Sequence, residues 1–295
     1  MTNIILLSSK DYEPYGPNYG DCIIIDTGTG LVIYDCGCEE HAKRVEEYML
    51  LHNYSQAIGI LSHNDSDHFK GFEYLVEKQL LSKIYAQLFL KHKADINKLL
   101  DDGRVTNKSL GDRITKDYNN IASLSGDVEL VDAIELGEIV PGVEIVGPDK
   151  DYAITVVTKE LDNGEGDTID AETAYNAASV QVSVQLTGKK VLLCGDASFE
   201  SVKDKLNDYK VIQLPHHGKA DTAELIFSEK KFEFATVYLV SDNTGETNGG
   251  SDKLNKVGRQ IFNTLNGDIT YPDNSQGTLK VGRVLGITGT GWSYR

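Results

Sequence analysis

Short apolar runs bounded by Gly, Pro, Asn or Asp alternate along the chain with longer stretches whose apolar residues recur every three or four positions. Runs of the first kind predict β-strands, and stretches of the second kind predict helices. In the first part of the chain, strand-like runs cover residues 4–7, 22–26, 31–34 and 57–61, and residues 39–52 have helical spacing. This part is therefore predicted to be a sheet with a helix packed on it.

A second group of strands is predicted from residue 180 onward. Residues 180–186 alternate between apolar and polar side chains, which is typical of a half-buried strand. Apolar runs at 191–194, 210–214 and 235–240 predict three more strands, and residues 253–265 have the spacing of a helix. Two β-rich halves with helices predict two sheets that pack face to face with helices outside.

The middle of the chain is more polar. Residues 82–135 have mainly helical spacing, so we expect a helical insertion within a single domain that spans residues 1–295. Residues 159–172 are acidic and predict a solvated surface loop. The insertion is a candidate cover for a functional site, but no motif in it assigns a role.

The composition is that of a globular but acidic protein. The 295 residues are 40% hydrophobic and 25% charged, and the net charge is −16 with a pI of about 4.8. Binding of long DNA by bulk electrostatics needs a basic face, so the charge argues against that class. A small or single-stranded nucleic-acid substrate is still allowed, because bound divalent cations invert the local field of a site.

The four cysteines favour a reducing compartment. Cys22, Cys36, Cys38 and Cys194 lie in or beside strand-like runs, and no second close pair completes a four-thiolate zinc site. No apolar run approaches the length of a membrane span, and residues 1–7 lack the basic region of a signal peptide. We expect a cytoplasmic protein with reduced thiols and no membrane contact.

Residues 61–68 have the densest group of metal-ligand side chains. The ligand types are His63, Asp65, Asp67 and His68, and they follow a strand-like run. We expect them in a loop at the carboxyl end of that strand. Buried carboxylates need a cation or hydrogen-bond donors to offset the loss of water, and imidazole mixed with carboxylate suits a divalent metal.

Other predicted strands also end in ligand-type residues. Asp35, Asp196 and the pair of His216 and His217 each have a glycine beside them, and glycine lets the backbone approach a crowded centre. Each of these residues alone also fits an ordinary turn. If the strand ends converge, the set is large enough for two metals, and Asp196 could bridge them because its two oxygens have separate lone pairs.

As a set, these residues resemble the motifs of the metallo-β-lactamase superfamily. The family's HxHxDH motif appears as residues 63–68, with Asp65 in place of the second His. Its early Asp corresponds to Asp35, and its Gly-Asp motif corresponds to residues 195–196. The resemblance implies an αββα sandwich, in which two mixed β-sheets have helices on their outer faces.

Within this family, the motifs of the chain are most similar to those of one subgroup. Ser-His-x-Asp-x-Asp-His at 62–68, Asn-x-x-Ser at 176–179 and Pro-His-His-Gly at 215–218 resemble the hydrolase domain of the bacterial competence channel protein ComEC and its stand-alone relatives. The likeness runs over residues 20–281 and leaves out residues 82–135. It implies a metal-dependent phosphodiesterase or nuclease.

The resemblance also implies a cofactor of two divalent metal ions, zinc or manganese, with magnesium as a further candidate. His63 and Asp65 would bind the first ion, and Asp67 and His68 would bind the second. Asp196 would bridge the two ions.

The remaining candidate residues lie in or next to the Pro-His-His-Gly segment. The resemblance implies that one of His216 and His217 completes the second metal site and that the other donates a proton or contacts phosphate. We take His216 as the ligand and His217 as the catalytic residue, although the residues alone leave the choice open. Asp67 and Lys219 are the other catalytic candidates, Lys219 as a phosphate contact.

Two departures from the family pattern change the expected chemistry. The family's third-motif His is absent, and Asn176 or Ser179 occupies that region. Together with Asp65, this makes the first site rich in oxygen, which favours harder ions such as manganese or magnesium over zinc. The subgroup's Gly-His-Pro is also missing, because residues 248–251 are Asn-Gly-Gly-Ser.

These observations predict a metal-dependent hydrolase, in particular a phosphodiesterase or nuclease in which a metal-bound hydroxide attacks phosphorus. The expected partners are a phosphodiester substrate, either nucleic acid or a small nucleotide, and a protein that supplies a basic surface. Two alternatives stay open. One is a degenerate metal-binding subunit with a regulatory or scaffold role, and the other is a hydrolase of carbon esters, thioesters or lactams.

Overall fold

The computed structural model follows the alternation of strands and helices in the sequence. The residues that the structure describes are 2–12, 20–100, 121–123, 126–134, 137–163, 170–242, 250–272 and 275–276. Within these ranges, no helix is both long enough and apolar enough to cross a membrane.

Two mixed β-sheets form the centre of the fold. The strands are, in chain order, β1 (Asn3–Leu6), β2 (Cys22–Asp26), β3 (Leu31–Cys36), β4 (Ala57–Ile60), β5 (Leu81–Ala86), β6 (Glu129–Asp132), β7 (Gly137–Val140), β8 (Val143–Gly147), β9 (Gln181–Leu186), β10 (Lys189–Leu193), β11 (Val211–Gln213), β12 (Val237–Val240), β13 (Gln260–Asn263), β14 (Ile269–Tyr271) and β15 (Ser275–Gln276). The first sheet has the order β15-β14-β1-β2-β3-β4-β5-β6, and the second has the order β13-β12-β11-β10-β9-β8-β7. The predicted pair of mixed sheets is confirmed.

Alternating side chains of both sheets fill the space between them. Ile23 and Ile25 of β2 belong to the same buried cluster as Val182 and Val184 of β9. Ile24 points to the opposite face and belongs to another cluster. This is the period of two that a strand imposes on its side chains. The alternation lets each sheet bury one face against the other sheet and one face against helices.

Helices cover the outer faces of both sheets. They are α1 (Glu39–His52), α2 (Ser66–Glu77), α3 (Lys93–Leu99) and the helices Lys150–Asn163, Ala174–Ala177, Phe199–Val202 and Ala220–Glu229. Met49 of α1 and Phe72 of α2 share a buried cluster with Ile33 of the first sheet. On the other side, Ile226 packs with Ile212 of β11. The predicted αββα sandwich is therefore confirmed.

Each sheet contains a run of parallel strands. In the first sheet β3, β4, β5 and β6 are parallel, and in the second β10, β11, β12 and β13 are parallel. The carboxyl ends of neighbouring parallel strands meet at one edge of a sheet, where ligands commonly bind. The segments that follow these strands are therefore the ones placed to build a site.

The start of α2 differs from the prediction. The metal-ligand residues of 61–68 are predicted to lie in one loop, but α2 begins at Ser66, so that Asp67 and His68 lie in its first turn. Asp65 precedes the helix in an extended conformation with φ −73° and ψ 144°. A carboxylate in the first turn of a helix interacts favourably with the helix dipole. The helix therefore fixes two of the four side chains more firmly than a loop would.

The range 82–135, predicted to be a helical insertion, begins and ends in strands. β5 and β6 fall in this range and pair in parallel, with Ile84 opposite Leu130. β5 and β6 are the last two strands at one edge of the first sheet, so any insertion is limited to the residues between them. Residues 101–120 lie outside the described part of the chain. The insertion and the single-domain organisation therefore stay predictions.

The predicted helix over residues 253–265 is wrong. The segment contains β13, which pairs in parallel with β12 and places Ile261 opposite Tyr238. Gly258 has a φ of +70°, which interrupts any helix before β13. The apolar spacing of this segment fits a helix, but strand pairing at the sheet edge overrides the local pattern.

Gly71 lets α2 approach the end of β3, and its replacement should destabilise the fold. A Cβ atom at this position would lie 2.3 Å from Cys36 Sγ and 2.4 Å from the carbonyl oxygen of Cys38. Gly71→Ala should therefore lower the free energy of unfolding by about 1–3 kcal/mol, although alanine favours helices. Urea unfolding followed by circular dichroism measures the loss.

The matched control for this variant is Gly30→Ala. The nearest atom to a Cβ at Gly30 lies 3.6 Å away, which is an ordinary contact. This variant should change the free energy of unfolding by no more than about 0.5 kcal/mol. Equal stability of the two variants would contradict the close packing of α2 at Gly71.

Candidate metal centre

The segments that follow parallel strands bring seven ligand-type side chains to one place. They are His63 and Asp65 after β4, Asp67 and His68 at the start of α2, Asp196 after β10, and His216 and His217 after β11. Six of them form two groups. We call His63, Asp65 and Asp196 the first cluster, and Asp67, His68 and His217 the second cluster.

The first cluster presents one imidazole nitrogen to two carboxylates. His63 Nε2 lies 3.6 Å from Asp65 Oδ2 and 3.8 Å from Asp196 Oδ2. His63 and Asp196 are buried, whereas the Asp65 side chain is 54% exposed. These distances exceed those of hydrogen bonds. These atoms therefore face one another without forming hydrogen bonds.

The second cluster lies next to the first. The ligand atoms of Asp67, His68 and His217 all lie within 4.8 Å of one another. His217 Nε2 is 3.3 Å from Asp67 Oδ2, and His68 Nε2 is 4.0 Å from the same oxygen. Asp196 also faces this cluster, because its Oδ1 lies 3.5 Å from His68 Nε2. One carboxylate thus points one oxygen at each cluster.

Carboxylates lie next to Nδ1 of three of the four histidines, beginning with His68 and His217. Asp35 Oδ2 lies 2.9 Å from His68 Nδ1, and Asp35 Oδ1 accepts a hydrogen bond of 2.7 Å from the backbone N–H of Ser62. His217 Nδ1 lies 3.0 Å from the carbonyl oxygen of Ser241, and Asp21 Oδ1 lies 3.2 Å from the same nitrogen. Partners at Nδ1 fix the orientation and the tautomer of a ring and leave Nε2 for a metal.

The other two histidines also have partners at Nδ1, which are two serine hydroxyl groups for His63 and a carboxylate for His216. His63 Nδ1 lies 3.0 Å from Ser62 Oγ and 3.2 Å from Ser179 Oγ. His216 Nδ1 lies 2.7 Å from Glu172 Oε2, and its Nε2 lies 3.8 Å from Asp196 Oδ2. All four rings therefore direct Nε2 towards the two clusters.

Several inward-facing atoms of the clusters have no hydrogen-bond partner. Among the described residues, these buried atoms include His63 Nε2, His68 Nε2 and Asp196 Oδ1. A buried polar atom without a partner costs about 1–3 kcal/mol. Imidazole nitrogens and carboxylate oxygens that converge without hydrogen bonds are the donor set of a divalent metal site. The residues present therefore fit divalent metal ions.

Opposite charges shift the pKa values of the buried groups. Burial lowers the pKa of His68, but the carboxylates of Asp196 and Asp35 outweigh burial and raise that pKa well above its usual value. Burial raises the pKa of Asp196, but the charges of His68 and His217 hold that pKa well below its usual value. Without a cation, protons on the histidine rings therefore balance the carboxylates.

His217 and Asp67 form a second pair of this kind. Burial lowers the pKa of His217, but Asp196 and Asp21 raise that pKa well above its usual value. Burial raises the pKa of Asp67, but the hydrogen bond from His217 and the charge of His68 bring that pKa below its usual value. In the absence of metal, His68 and His217 of the second cluster therefore carry the protons that balance these carboxylates.

The backbone around the clusters is crowded and partly strained. Asp35, His216 and His217 have φ values of 56°, 49° and 54°, in the left-handed region that few residues other than glycine adopt. A Cβ at Gly195 would lie 2.7 Å from Ser62 Cβ, so glycine is required where β10 ends. Such strain concentrates at functional sites.

Lys219, predicted to contact phosphate, is engaged elsewhere. Its Nζ donates to Glu172 Oε1 at 2.7 Å and to the carbonyl oxygen of Asp170 at 2.8 Å. Glu172 contacts Nδ1 of His216, whereas Asp196 faces Nε2 of the same ring. Lys219 therefore lies behind His216, on the side of the ring away from Asp196.

The prediction that the acidic segment 159–172 is a solvated loop is wrong for those of its residues that the structure describes. Residues up to 163 belong to a helix, and Asp170 and Glu172 are only 3% and 2% exposed. Residues 164–169 lie outside the described part of the chain. Acidic composition is typical of a solvated loop, and no spacing in the segment indicates that two of its carboxylates are buried and that one of them lies next to a histidine.

Asn176 and Ser179, which occupy the region of the missing third-motif His, have different roles. Asn176 Oδ1 accepts a hydrogen bond of 2.8 Å from Thr173 Oγ1 at the start of a short helix. Ser179 Oγ lies against His63 and accepts a hydrogen bond of 3.2 Å from the backbone N–H of Asp196. Asp21 has no local motif that distinguishes it, and its role beside His217 appears only in the structure.

The chain matches the model of the metallo-β-lactamase superfamily over residues 15–239. No curated protein matches the sequence. The structure resembles that of the metallo-β-lactamase fold protein YhfI from Bacillus subtilis, with 13% identity, 89% of this chain and 96% of that chain covered, and a TM-score of 0.50. It also resembles Tm1679, a metal-dependent hydrolase of the β-lactamase superfamily, with 14% identity, 93% and 100% covered, and a TM-score of 0.52. At these identities the likeness shows the fold alone.

Metal binding at this centre should release protons and should weaken as the pH falls. Asp196 and Asp35 raise the pKa of His68, so its ring is protonated at neutral pH and a cation has to displace that proton. The affinity for Mn²⁺ should therefore increase with pH until this pKa is passed. Calorimetric titration at pH 7 in two buffers of different ionisation enthalpy counts the protons. Binding without proton release would contradict these charge states.

Asp35→Asn should weaken metal binding by about 10–100-fold. Asparagine tolerates the left-handed backbone at this position, but it lacks the charge that holds Nδ1 of His68. Equilibrium dialysis with Mn²⁺ measures the change. Asp132→Asn is the matched control, because Asp132 is also buried and lies 2.7 Å from Nε2 of His92, outside both clusters. An equal loss in the two variants would argue against the role of Asp35.

Proposed function

The chain belongs to the metallo-β-lactamase superfamily, and we propose that this metal-dependent hydrolase cleaves phosphodiesters in single-stranded nucleic acid or small nucleotides. One observation carries the proposal. Asp196 directs one oxygen at His63 and the other at His68, so that a single carboxylate joins two clusters of imidazole and carboxylate groups. Paired divalent metal ions are found in phosphatases and nucleases, where they hold the attacking and leaving oxygens of a displacement.

The ligand sets follow from the two clusters. In this proposal His63 and Asp65 bind one ion, the second cluster binds the other, and Asp196 lies between them. The first cluster offers one imidazole, whereas catalytic zinc sites usually have two or three. The donor set therefore favours manganese or magnesium over zinc in the first cluster. When bound, the ions would supply Lewis acidity and lower the pKa of a water molecule.

We assign the ligand role at the second cluster to His217 rather than to His216. His217 is buried, and its Nε2 lies 3.3 Å from Asp67 Oδ2. His216 is 17% exposed, and its Nε2 lies beside Asp196 rather than beside Asp67. This reverses the roles that we took from the sequence. His216 is then the group that can reach the substrate as a proton donor or phosphate contact.

The orientation of the histidine rings and the charge of the chain both bear on which anionic substrate can bind. The Nδ1 partners of His63, His68 and His217 orient these three rings before substrate binds. The net charge of −16 opposes long polyanions away from the clusters. This favours a short or single-stranded substrate, or a basic partner protein that delivers a longer one.

Hydrolysis of phosphodiesters by the purified protein should depend on both manganese and Asp67. Asp67 lies in the second cluster, so Asp67→Asn should reduce kcat about 100-fold or more. The assay uses bis(4-nitrophenyl) phosphate, single-stranded DNA, RNA and cyclic nucleotides with Mn²⁺. Asp95→Asn, which changes an exposed aspartate of α3, is the control and should keep full activity.

Two results would argue against this function. One is the absence of any phosphodiester cleavage that requires both Mn²⁺ and Asp67. The other is turnover of a chromogenic β-lactam or a thioester with Zn²⁺ in place of phosphodiester cleavage. The second result would favour the hydrolase of carbon esters, thioesters or lactams.

A further inference from the structure

His216 is held by two charged residues that belong to neither cluster. We propose that Glu172, itself held by Lys219, is a positioning residue that orients His216 towards the leaving oxygen of a phosphodiester. This inference rests on the proposed function, because it concerns the step in which that substrate breaks. It also gives Lys219 a different role from the phosphate contact that the sequence suggests.

The contact between Glu172 and His216 sets the direction of the ring. Glu172 Oε2 lies 2.7 Å from Nδ1, and Asp196 Oδ2 lies 3.8 Å from Nε2 on the other side of the same ring. His216 is also the most exposed of the four site histidines, since the other three are at most 3% exposed. The ring therefore has one nitrogen anchored in the protein and one nitrogen at the open side of the clusters.

Lys219 holds the other oxygen of the same carboxylate. Its Nζ lies 2.7 Å from Glu172 Oε1, 2.8 Å from the carbonyl oxygen of Asp170 and 3.5 Å from that of Ala171. An ammonium group has three protons to donate, and these three oxygens account for them. Both oxygens of Glu172 are therefore engaged, one by Lys219 and one by His216. A carboxylate held at both oxygens cannot swing away from the ring.

The segment that carries Glu172 is anchored separately. Asp170 Oδ2 accepts hydrogen bonds from Thr222 Oγ1 at 2.9 Å and from the backbone N–H of Phe199 at 2.8 Å. These bonds attach the segment to the helices Phe199–Val202 and Ala220–Glu229. Lys219 immediately precedes the second of these helices. The same two helices thus fix both the carboxylate and the lysine that holds it.

In this proposal His216 supplies the proton that the leaving oxygen takes up. As the bond between phosphorus and the leaving oxygen breaks, its electron pair stays on that oxygen, which takes the proton from His216 Nε2. The oxygen of a water molecule forms the new bond to phosphorus, and the proton that this water loses restores His216. Throughout, Glu172 accepts the Nδ1–H bond and keeps the ring in place.

A leaving-group comparison separates this role from a purely structural one. A nucleoside alkoxide is a poor leaving group that needs a proton, whereas 4-nitrophenolate leaves without one. A variant that no longer orients His216 should therefore slow the cleavage only of the substrate with the nucleoside leaving group. A structural ion pair, if lost, would affect both kinds alike, since it would change the amount of folded and metal-loaded enzyme.

The test compares Glu172→Gln with the unmodified protein on thymidylyl-thymidine and on thymidine 5′-(4-nitrophenyl) phosphate, both with Mn²⁺. For the dinucleotide, kcat should fall about 100-fold or more, because general acid catalysis contributes that much. For the nitrophenyl ester, kcat should fall less than about 5-fold, and KM should be unchanged for both. Manganese content and circular dichroism should match those of the unmodified protein.

Two further variants guard against misfolding and non-specific effects. Lys219→Met should give the same selective loss as Glu172→Gln, since it frees the carboxylate to move. Glu233→Gln is the matched control, because Glu233, like Glu172, has two basic partners, and these are Lys210 and Lys230, outside both clusters. This control should leave both reactions unchanged.

The outcomes distinguish the inference from the function on which it rests. If the unmodified protein cleaves both esters and Glu172→Gln slows them equally or not at all, the positioning role is wrong and the phosphodiesterase stands. If the unmodified protein cleaves neither ester, the proposed function and the positioning role both fail. A selective loss on the dinucleotide, with metal content retained, supports the inference.

Discussion

The negative charge of the buried Asp196 carboxylate is the constraint on which the rest of the site depends. Its Oδ1 lies 3.5 Å from His68 Nε2, and its Oδ2 lies 3.8 Å from His63 Nε2. A carboxylate at this depth is stable only with positive charge close by, either on imidazole rings or on cations. The fold meets this need because strands of both sheets end at the same edge and deliver histidines from distant parts of the chain.

Three further acidic residues lie next to histidines of the site. Asp35, Asp21 and Glu172 each lie at Nδ1 of a different ring, and all three are buried. They add negative charge to a centre that already contains three aspartates of the clusters. This excess raises histidine pKa values when metal is absent and favours cations when metal is present. Orientation of the rings and affinity for cations therefore have the same physical origin.

Local sequence patterns predict the ligand residues at 63–68 better than the roles of His216 and His217. Residues 63–68 lie directly after an apolar strand, so their spacing alone brings four ligand types together. His216 and His217 are neighbours in sequence, yet their rings face different partners at an interplanar angle of 71°. Both residues have positive φ values, which no residue pattern indicates. The choice between the two histidines therefore could not be made from the sequence.

By itself, the sequence determined two packed sheets with outer helices and most of the strands, because these follow from the periodicity of apolar positions, and its motifs identified residue types available for chemistry. Only the tertiary structure decided that Glu172, in a segment whose composition is typical of a solvated loop, is buried against a histidine 44 residues away. It also decided that Lys219 supports that carboxylate. Composition reports the average environment of a segment, whereas the partner of one buried charge depends on contacts between segments far apart in the chain.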